Sequence, residues 1–132
     1  MKKSAFLLVI VLALSLILAA CSVGNAPSAD LKVEFTDFTF NPNAFTIPAG
    51  QEITLVAANA GAVMHEFVIM KLGATVGDDF GDEDEGNIYW EIEVESKTVT
   101  FTAPEAGEYQ VVCGTEGHFV AGMVGSLTVV AP

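Results

Sequence analysis

From Leu31 onward, apolar and polar residues alternate in short runs, and this period of two predicts strands rather than helices. "LKVEF" turns Leu31, Val33 and Phe35 to one face, after which Phe38 and Phe40 continue in the opposite parity. A bulge or bend is therefore expected near Thr36 and Asp37. "QEITLVAAN" directs Ile53, Leu55 and Ala57 inward, and "MHEFVIM" places His65, Phe67 and Ile69 on one face with Glu66 on the other. The same alternation selects Val99 and Phe101 in "KTVTFTA", Tyr109, Val111 and Cys113 in "GEYQVVC", and Met123, Leu127 and Val129 in "MVGSLTVV". No run has a helical period. The turn-forming groups "NPN", "PAG", "NAG" and "PEAG" separate short strands, the pattern of an all-β antiparallel sandwich or barrel. One stretch breaks the pattern: "GDDFGDEDEGN", Gly77 to Asn87, carries six acids between Asp78 and Glu85. It reads as a solvated loop, with docking of a basic partner as its functional alternative.

The residues before Leu31 belong to another class. "MKKSAFLLVIVLALSLILAAC" has a basic start, an apolar run and small residues before Cys21, the anatomy of an export signal. Its end, Leu18-Ala19-Ala20-Cys21, resembles the lipobox of bacterial lipoproteins, which implies lipidation of Cys21. The expected organisation is a signal peptide over 1–20, a lipidated cysteine with a flexible tether over 21–30, and one folded domain over 31–132. A tether of this composition reaches about 15 to 18 Å. The product would be exported and anchored by lipid to the cell membrane, facing the periplasm or the exterior. Beyond the signal, three lysines stand against seventeen acids and no arginine occurs, so nucleic acid is disfavoured as a partner.

With Cys21 lipidated, Cys113 has no disulfide partner, although exported thiols are usually oxidised. The segment "CGTEGHFVAGM" sets Cys113, His118 and Met123 at two equal five-residue steps, in a chain with two histidines and three methionines beyond the signal. Parity aims His65 and Cys113 at the same interior, so two strands could converge at one pole of a sandwich. A thiolate and two imidazoles with a weak thioether suit copper, which alternates between a state preferring soft ligands and one preferring nitrogen. Zinc would gain little from the thioether, and a catalytic zinc keeps a position for water.

These residues resemble the blue copper proteins, or cupredoxins, over nearly the whole domain. "FNPNAFTIPAGQEITLVAANAGAVMHEFVI" is similar to the first half of that family and "FTAPEAGEYQVVCGTEGHFVAGMVGSLTVV" to the second. The Cys-x4-His-x4-Met loop is most similar to the auracyanin and rusticyanin branch. The resemblance implies a Greek-key antiparallel β-sandwich of about eight strands. It implies one type 1 copper held by His65, Cys113 and His118, with Met123 on the axis, and it matches Tyr109 to the family's tyrosine corner. Many members have Asn after the first histidine; here Glu66 stands there, expected to point its carboxylate to solvent while its N–H approaches the thiolate. Asn59 is the candidate to brace the loop instead, and Met64 is read as packing.

The implied function is a membrane-tethered electron carrier, not an enzyme, shuttling single electrons between redox partners of the cell envelope. A cytochrome or oxidase subunit would dock where His118 reaches the surface among Phe119, Val120 and Ala121, steered by Asp78 to Glu85, and the carrier would act as a monomer. Two other readings use the same residues. Copper storage or delivery needs the metal site without redox turnover, and a Cys113/His118 nucleophile pair would explain the lone thiol but not Met123.

Overall fold

The alternating runs become nine strands in a computed structural model that describes residues 26–132. The export signal and Cys21 lie outside the described residues. In chain order the strands are β1 (Asp30–Thr36), β2 (Thr39–Asn41), β3 (Ala44–Pro48), β4 (Glu52–Asn59), β5 (His65–Met70), β6 (Ile88–Val94), β7 (Ser96–Thr102), β8 (Gly107–Val112) and β9 (Val124–Val130). They form two sheets, β2-β1-β4-β7 and β3-β9-β8-β5-β6. Each sheet turns an apolar face inward, and the two faces close on each other because that is how a sheet removes its hydrophobic side from water. The core between them holds Val33, Phe35, Phe40, Ile47, Ile53, Leu55, Phe67, Ile69, Val111 and Leu127, all nearly without exposure.

The expected sandwich is present, but it is not purely antiparallel. β1 pairs parallel with β4, from Asp30↔Thr54 to Phe35↔Asn59, and β3 pairs parallel with β9, from Ala44↔Ser126 to Pro48↔Val130. Parallel neighbours need long connections, and the chain supplies them by crossing between sheets. Alternation cannot distinguish the two pairings because it reports only the face of each residue. The domain also starts slightly before Leu31. Asp30 opens β1, and the Ser28 N–H donates to the Thr46 carbonyl at 3.0 Å, so the end of the predicted tether is bound to the sheet.

The change of parity at Thr36 is a hairpin rather than a bulge. Thr36 pairs with Thr39, and Asp37 and Phe38 form the turn between β1 and β2. Phe38 is the one non-glycine residue with positive φ among the described residues, at 67°. Alternation alone does not mark β3 and β6. In β6 the inner residues Trp90 and Ile92 are only half-buried, and acidic Glu91 and Glu93 occupy the outer face.

The acidic stretch is more than a solvated loop. β5 is buried on both faces because residues 71–87 fold across its outer side, packing Val76, Ala74 and Phe80 against Val68, Met70 and Val112. The Val76 N–H donates to the Gln110 Oε1 at 2.7 Å, which pins this covering segment to β8. Asp84 is buried, and its Oδ2 accepts from the Gly81 N–H at 3.1 Å. The exposed acids are Asp78, Asp82, Glu83 and Glu85. Among the described residues, no helix is long and apolar enough to cross a membrane.

Candidate metal centre

His65 begins β5 and Cys113 directly follows β8, and these strands are neighbours in one sheet, joined through Val68↔Val112 and Ile69↔Val111. Both side chains point inward at the same end of the sandwich. His118 lies on the loop from Cys113 to β9, which is closed at its base by main-chain bonds. The Cys113 N–H donates to the Met123 carbonyl at 3.1 Å, and the Met123 N–H donates to the His118 carbonyl at 2.9 Å. Gly117 and Gly122 take φ of 78° and 99°, which allows the loop to reverse tightly before and after His118.

The three residues form a buried cluster with ligand atoms within 4.8 Å of one another. The separations are 3.3 Å between the two Nδ1 atoms, 3.4 Å from Cys113 Sγ to His118 Nδ1, and 4.0 Å from Sγ to His65 Nδ1. A point equidistant from these three atoms lies about 2.1 Å from each, the length of a metal–imidazole bond and slightly short of a metal–thiolate bond. The donor set therefore fits a first-row ion without any movement of backbone. A soft thiolate with two imidazoles selects copper over oxygen-seeking cations. His65, Cys113 and His118 are 0%, 0% and 7% exposed, so these donors are shielded from solvent. This burial removes Cys113 from the reach of a peptide substrate and argues against the nucleophile reading. Met123 is also fully buried, in the same core cluster as His65's neighbours, and its backbone joins both Cys113 and His118.

The imidazole of His65 resists protonation: burial, then repulsion by His118, hold its pKa below the usual 6.5, against a smaller opposing pull from Asp37. A histidine kept neutral is ready to bind metal. The Glu66 N–H donates to Cys113 Sγ at 3.4 Å, as expected, which stabilises negative charge on sulfur. Its carboxylate does not run free into solvent. It packs against Gly114, and burial together with Glu91 and Glu93 raises its pKa above the usual 4.5.

Asn59 has a different role from the one expected. Its Nδ2 donates to the Val63 carbonyl at 2.7 Å and its Oδ1 accepts from the Gly61 N–H at 2.9 Å, so it braces its own loop and does not reach the cysteine loop. The link between the loops is Thr115, whose Oγ1 donates to the Met64 carbonyl at 3.3 Å. Met64 itself is half exposed and fills no gap in the core. Tyr109 does form the corner: its hydroxyl donates to the Glu105 carbonyl at 2.7 Å, four residues upstream.

His118 is more covered than the sequence suggested. Phe38, in the β1–β2 turn, meets its ring edge to face at 5.1 Å and 86°. Phe119 turns away to pack beneath the covering segment, leaving Val120, Val63, Met64 and Phe38 as the large exposed apolar residues on the three loops of this pole, with Ala121 exposed beside Val120. The covering segment also touches the ligand loop, because Asp79 Oδ2 accepts from the Gly117 N–H at 3.2 Å. Between them lies an acidic cleft of about 420 Å³ lined by Asp79, Asp82, Glu85 and Glu116.

Comparison with known proteins agrees with this geometry. Auracyanin-A of Chloroflexus aurantiacus is 28% identical over an alignment of 143 residues, covering 85% of this chain and 88% of that protein. The copper-resistant cuproprotein CopI of Rubrivivax gelatinosus is 33% identical over 120 residues, covering 80% of this chain and 70% of its own length. Among solved structures, dithionite-reduced auracyanin from Roseiflexus castenholzii superposes with a TM-score of 0.67 at 29% identity, covering 80% of this chain and 99% of that one. The auracyanin A structure from Chloroflexus aurantiacus gives a TM-score of 0.60 at 28% identity, over 76% and 99% of the two chains. The profile of the cupredoxin-like domain matches residues 6–129, and the chain belongs to that family of blue copper electron-transfer proteins.

Proposed function

We infer that this protein is a lipid-anchored carrier that passes single electrons between redox partners of the cell envelope. The observation that carries the reading is the closed cluster of His65, Cys113 and His118, whose donor atoms surround one metal-sized point inside a rigid sandwich. Bound there, copper would supply a reversible one-electron couple. His65, Cys113 and His118 would hold it, and the buried Met123 next to them would offer a thioether. The protein's part is to keep the donors from moving as charge changes. β5 and β8 fix two of them, and the backbone bonds at Met123 fix the loop that carries the third. The Glu66 N–H moderates charge on the thiolate.

The exposed Phe38, Val63, Met64 and Val120 make the surface at this pole apolar, which suits a transient contact that must exclude water near His118. The exposed acids of the covering segment favour a basic partner such as a cytochrome or oxidase subunit. Lipidation at Cys21 would hold the monomer at the membrane facing the periplasm or exterior; Cys21→Ser should release the protein from membrane fractions.

The test is titration with Cu(II), followed by visible absorption and electron paramagnetic resonance, with Cys113→Ser alongside. An intense thiolate-to-copper band that saturates at one ion per chain, bleaches reversibly with mild reductant and is absent in the variant supports the carrier. Copper storage or delivery is favoured by the relative described as a copper-resistant cuproprotein. Binding of Cu(II) without that band, or binding of copper only as Cu(I), would move the conclusion to storage or delivery.

A further inference from the structure

His65 uses Nδ1 toward the metal cluster, and its other ring nitrogen has been left without a hydrogen-bond partner. Nε2 is fully buried and is the one buried side-chain polar atom of this kind among the described residues. An unpaired ring nitrogen in such a position is costly, so a nearby polar partner is chemically called for. The nearest charged group is the Asp37 carboxylate, whose Oδ1 lies 4.0 Å away, about one ångström too far for a hydrogen bond. That carboxylate is half exposed and can rotate. Its Oδ1 already accepts from the Ala62 N–H at 3.0 Å and has a second lone pair to offer.

The loop at Gly61 keeps this space open. A Cβ added to Gly61 would fall 2.5 Å from Asp37 Oδ1 and 2.9 Å from His65 Nε2, so only glycine leaves both groups facing each other at this point of the loop. The turn that delivers Asp37 also contains Phe38 with φ of 67°, a conformation costly for an aromatic residue and retained at functional sites more often than elsewhere.

We propose that Asp37 is the positioning residue of His65, holding its proton on Nε2 so that Nδ1 presents a lone pair to the metal before the metal arrives. The inference rests on copper binding at this pole. Metal-bound histidines generally donate their second N–H to such a partner, and loss of the partner typically weakens metal binding by about 10- to 100-fold. The carboxylate also makes the imidazole a stronger donor, which favours the more highly charged Cu(II). The Asp37–Ala62 bond braces the loop, so the purely structural role of Asp37 must be separated from its effect on the ring.

The experiment combines two readouts on the wild type, Asp37→Asn and Asp37→Ala. Long-range ¹⁵N–¹H correlation of the apo protein at alkaline pH reports which His65 nitrogen carries the proton, and competition with a chelator reports Cu(II) affinity. Wild type should hold the Nε2–H tautomer. Asp37→Ala should lose that preference and bind Cu(II) about 10- to 100-fold more weakly. Asp37→Asn keeps an oxygen for Ala62, so the loop stays braced, and should fall between the two. Gly61→Ala, with its methyl pushed between the groups, should reproduce the tautomer loss while Asp37 is intact. An Nδ1–H tautomer in the wild type, or unchanged tautomer and affinity in both Asp37 variants, overturns the proposal. If the wild type binds no copper, the reading of the site fails, whereas the apo tautomer still decides the role of Asp37.

Discussion

Phe38 offers a test in which the usual ranking of substitutions should reverse. In most positions glycine is less stable than alanine by about 0.5 to 1 kcal/mol, because its unfolded chain has more freedom to lose. At Phe38 the backbone is left-handed, with φ of 67° in the second position of a two-residue turn, which glycine enters freely. A residue with a Cβ is strained there by about 1 to 2 kcal/mol. Both Phe38→Gly and Phe38→Ala lose the same ring contact with His118 and the same burial of a side chain 46% exposed in the wild type. An edge-to-face pair contributes about 0.5 to 1.5 kcal/mol, and half-burial of the ring about 1 kcal/mol more. The difference between the two variants isolates the backbone. Phe38→Gly should be more stable than Phe38→Ala by about 0.5 to 1 kcal/mol, after the entropy of glycine is set against the relief of strain. Urea unfolding of the apo protein near neutral pH, followed by tryptophan fluorescence, measures this as a higher midpoint for the glycine variant at equal slope. Alanine equal to or better than glycine would refute the argument that the turn is strained. Both variants should be less stable than wild type, because the ring contact with His118 outweighs the strain.

Removal of the hydroxyl in Tyr109→Phe deletes its 2.7 Å bond to Glu105 and should cost about 1 kcal/mol in unfolding, in apo and copper-loaded protein alike, with no change in the visible spectrum. His65 has a pKa held below 6.5, so the unfolded chain takes up a proton that the folded chain refuses. Apo stability should therefore be flat above pH 6.5 and decline as pH falls below it, measured by urea midpoints in a Glu66→Gln background that removes the neighbouring carboxyl. Glu66 has the opposite sign of shift for an acid. With its pKa raised, its ionised form is disfavoured by folding, so Glu66→Gln should stabilise the apo protein near neutral pH, and the gain should vanish below pH 4.5. Neutralising Asp78, Asp82, Glu83 and Glu85 together should slow association with a basic cytochrome by about tenfold or more at low salt and have little effect at high salt, measured by stopped-flow; an unchanged rate removes the steering role. Asp84 is excluded from that set because its buried carboxylate holds Gly81.

What the sequence determined by itself is local in character. The inward residues Leu31, Val33, Phe35, Ile53, Leu55, Phe67, Tyr109, Val111 and Leu127 were legible because alternation encodes the face of a strand at a period of two. The Cys113, His118 and Met123 spacing was legible because one short loop holds all three, and the thiol and imidazole chemistry narrowed the metal. Tertiary structure decided whatever depends on which distant segments meet. The parallel pairing of β1 with β4 and of β3 with β9 has no signature in alternation, and the half-buried, acid-flanked pattern of β6 hid a strand. The acidic run was expected in solvent, but Phe80 within it and Val76 just before it find cover on β5 only once the sheet exists. The surroundings of the site were the least legible part: Asp37 beside His65, Phe38 on His118 and Thr115 on Met64 join residues 28, 80 and 51 positions apart. A short polar or aromatic side chain in a turn has many possible partners in the unfolded chain, and only the packing of two sheets brings one of them within reach.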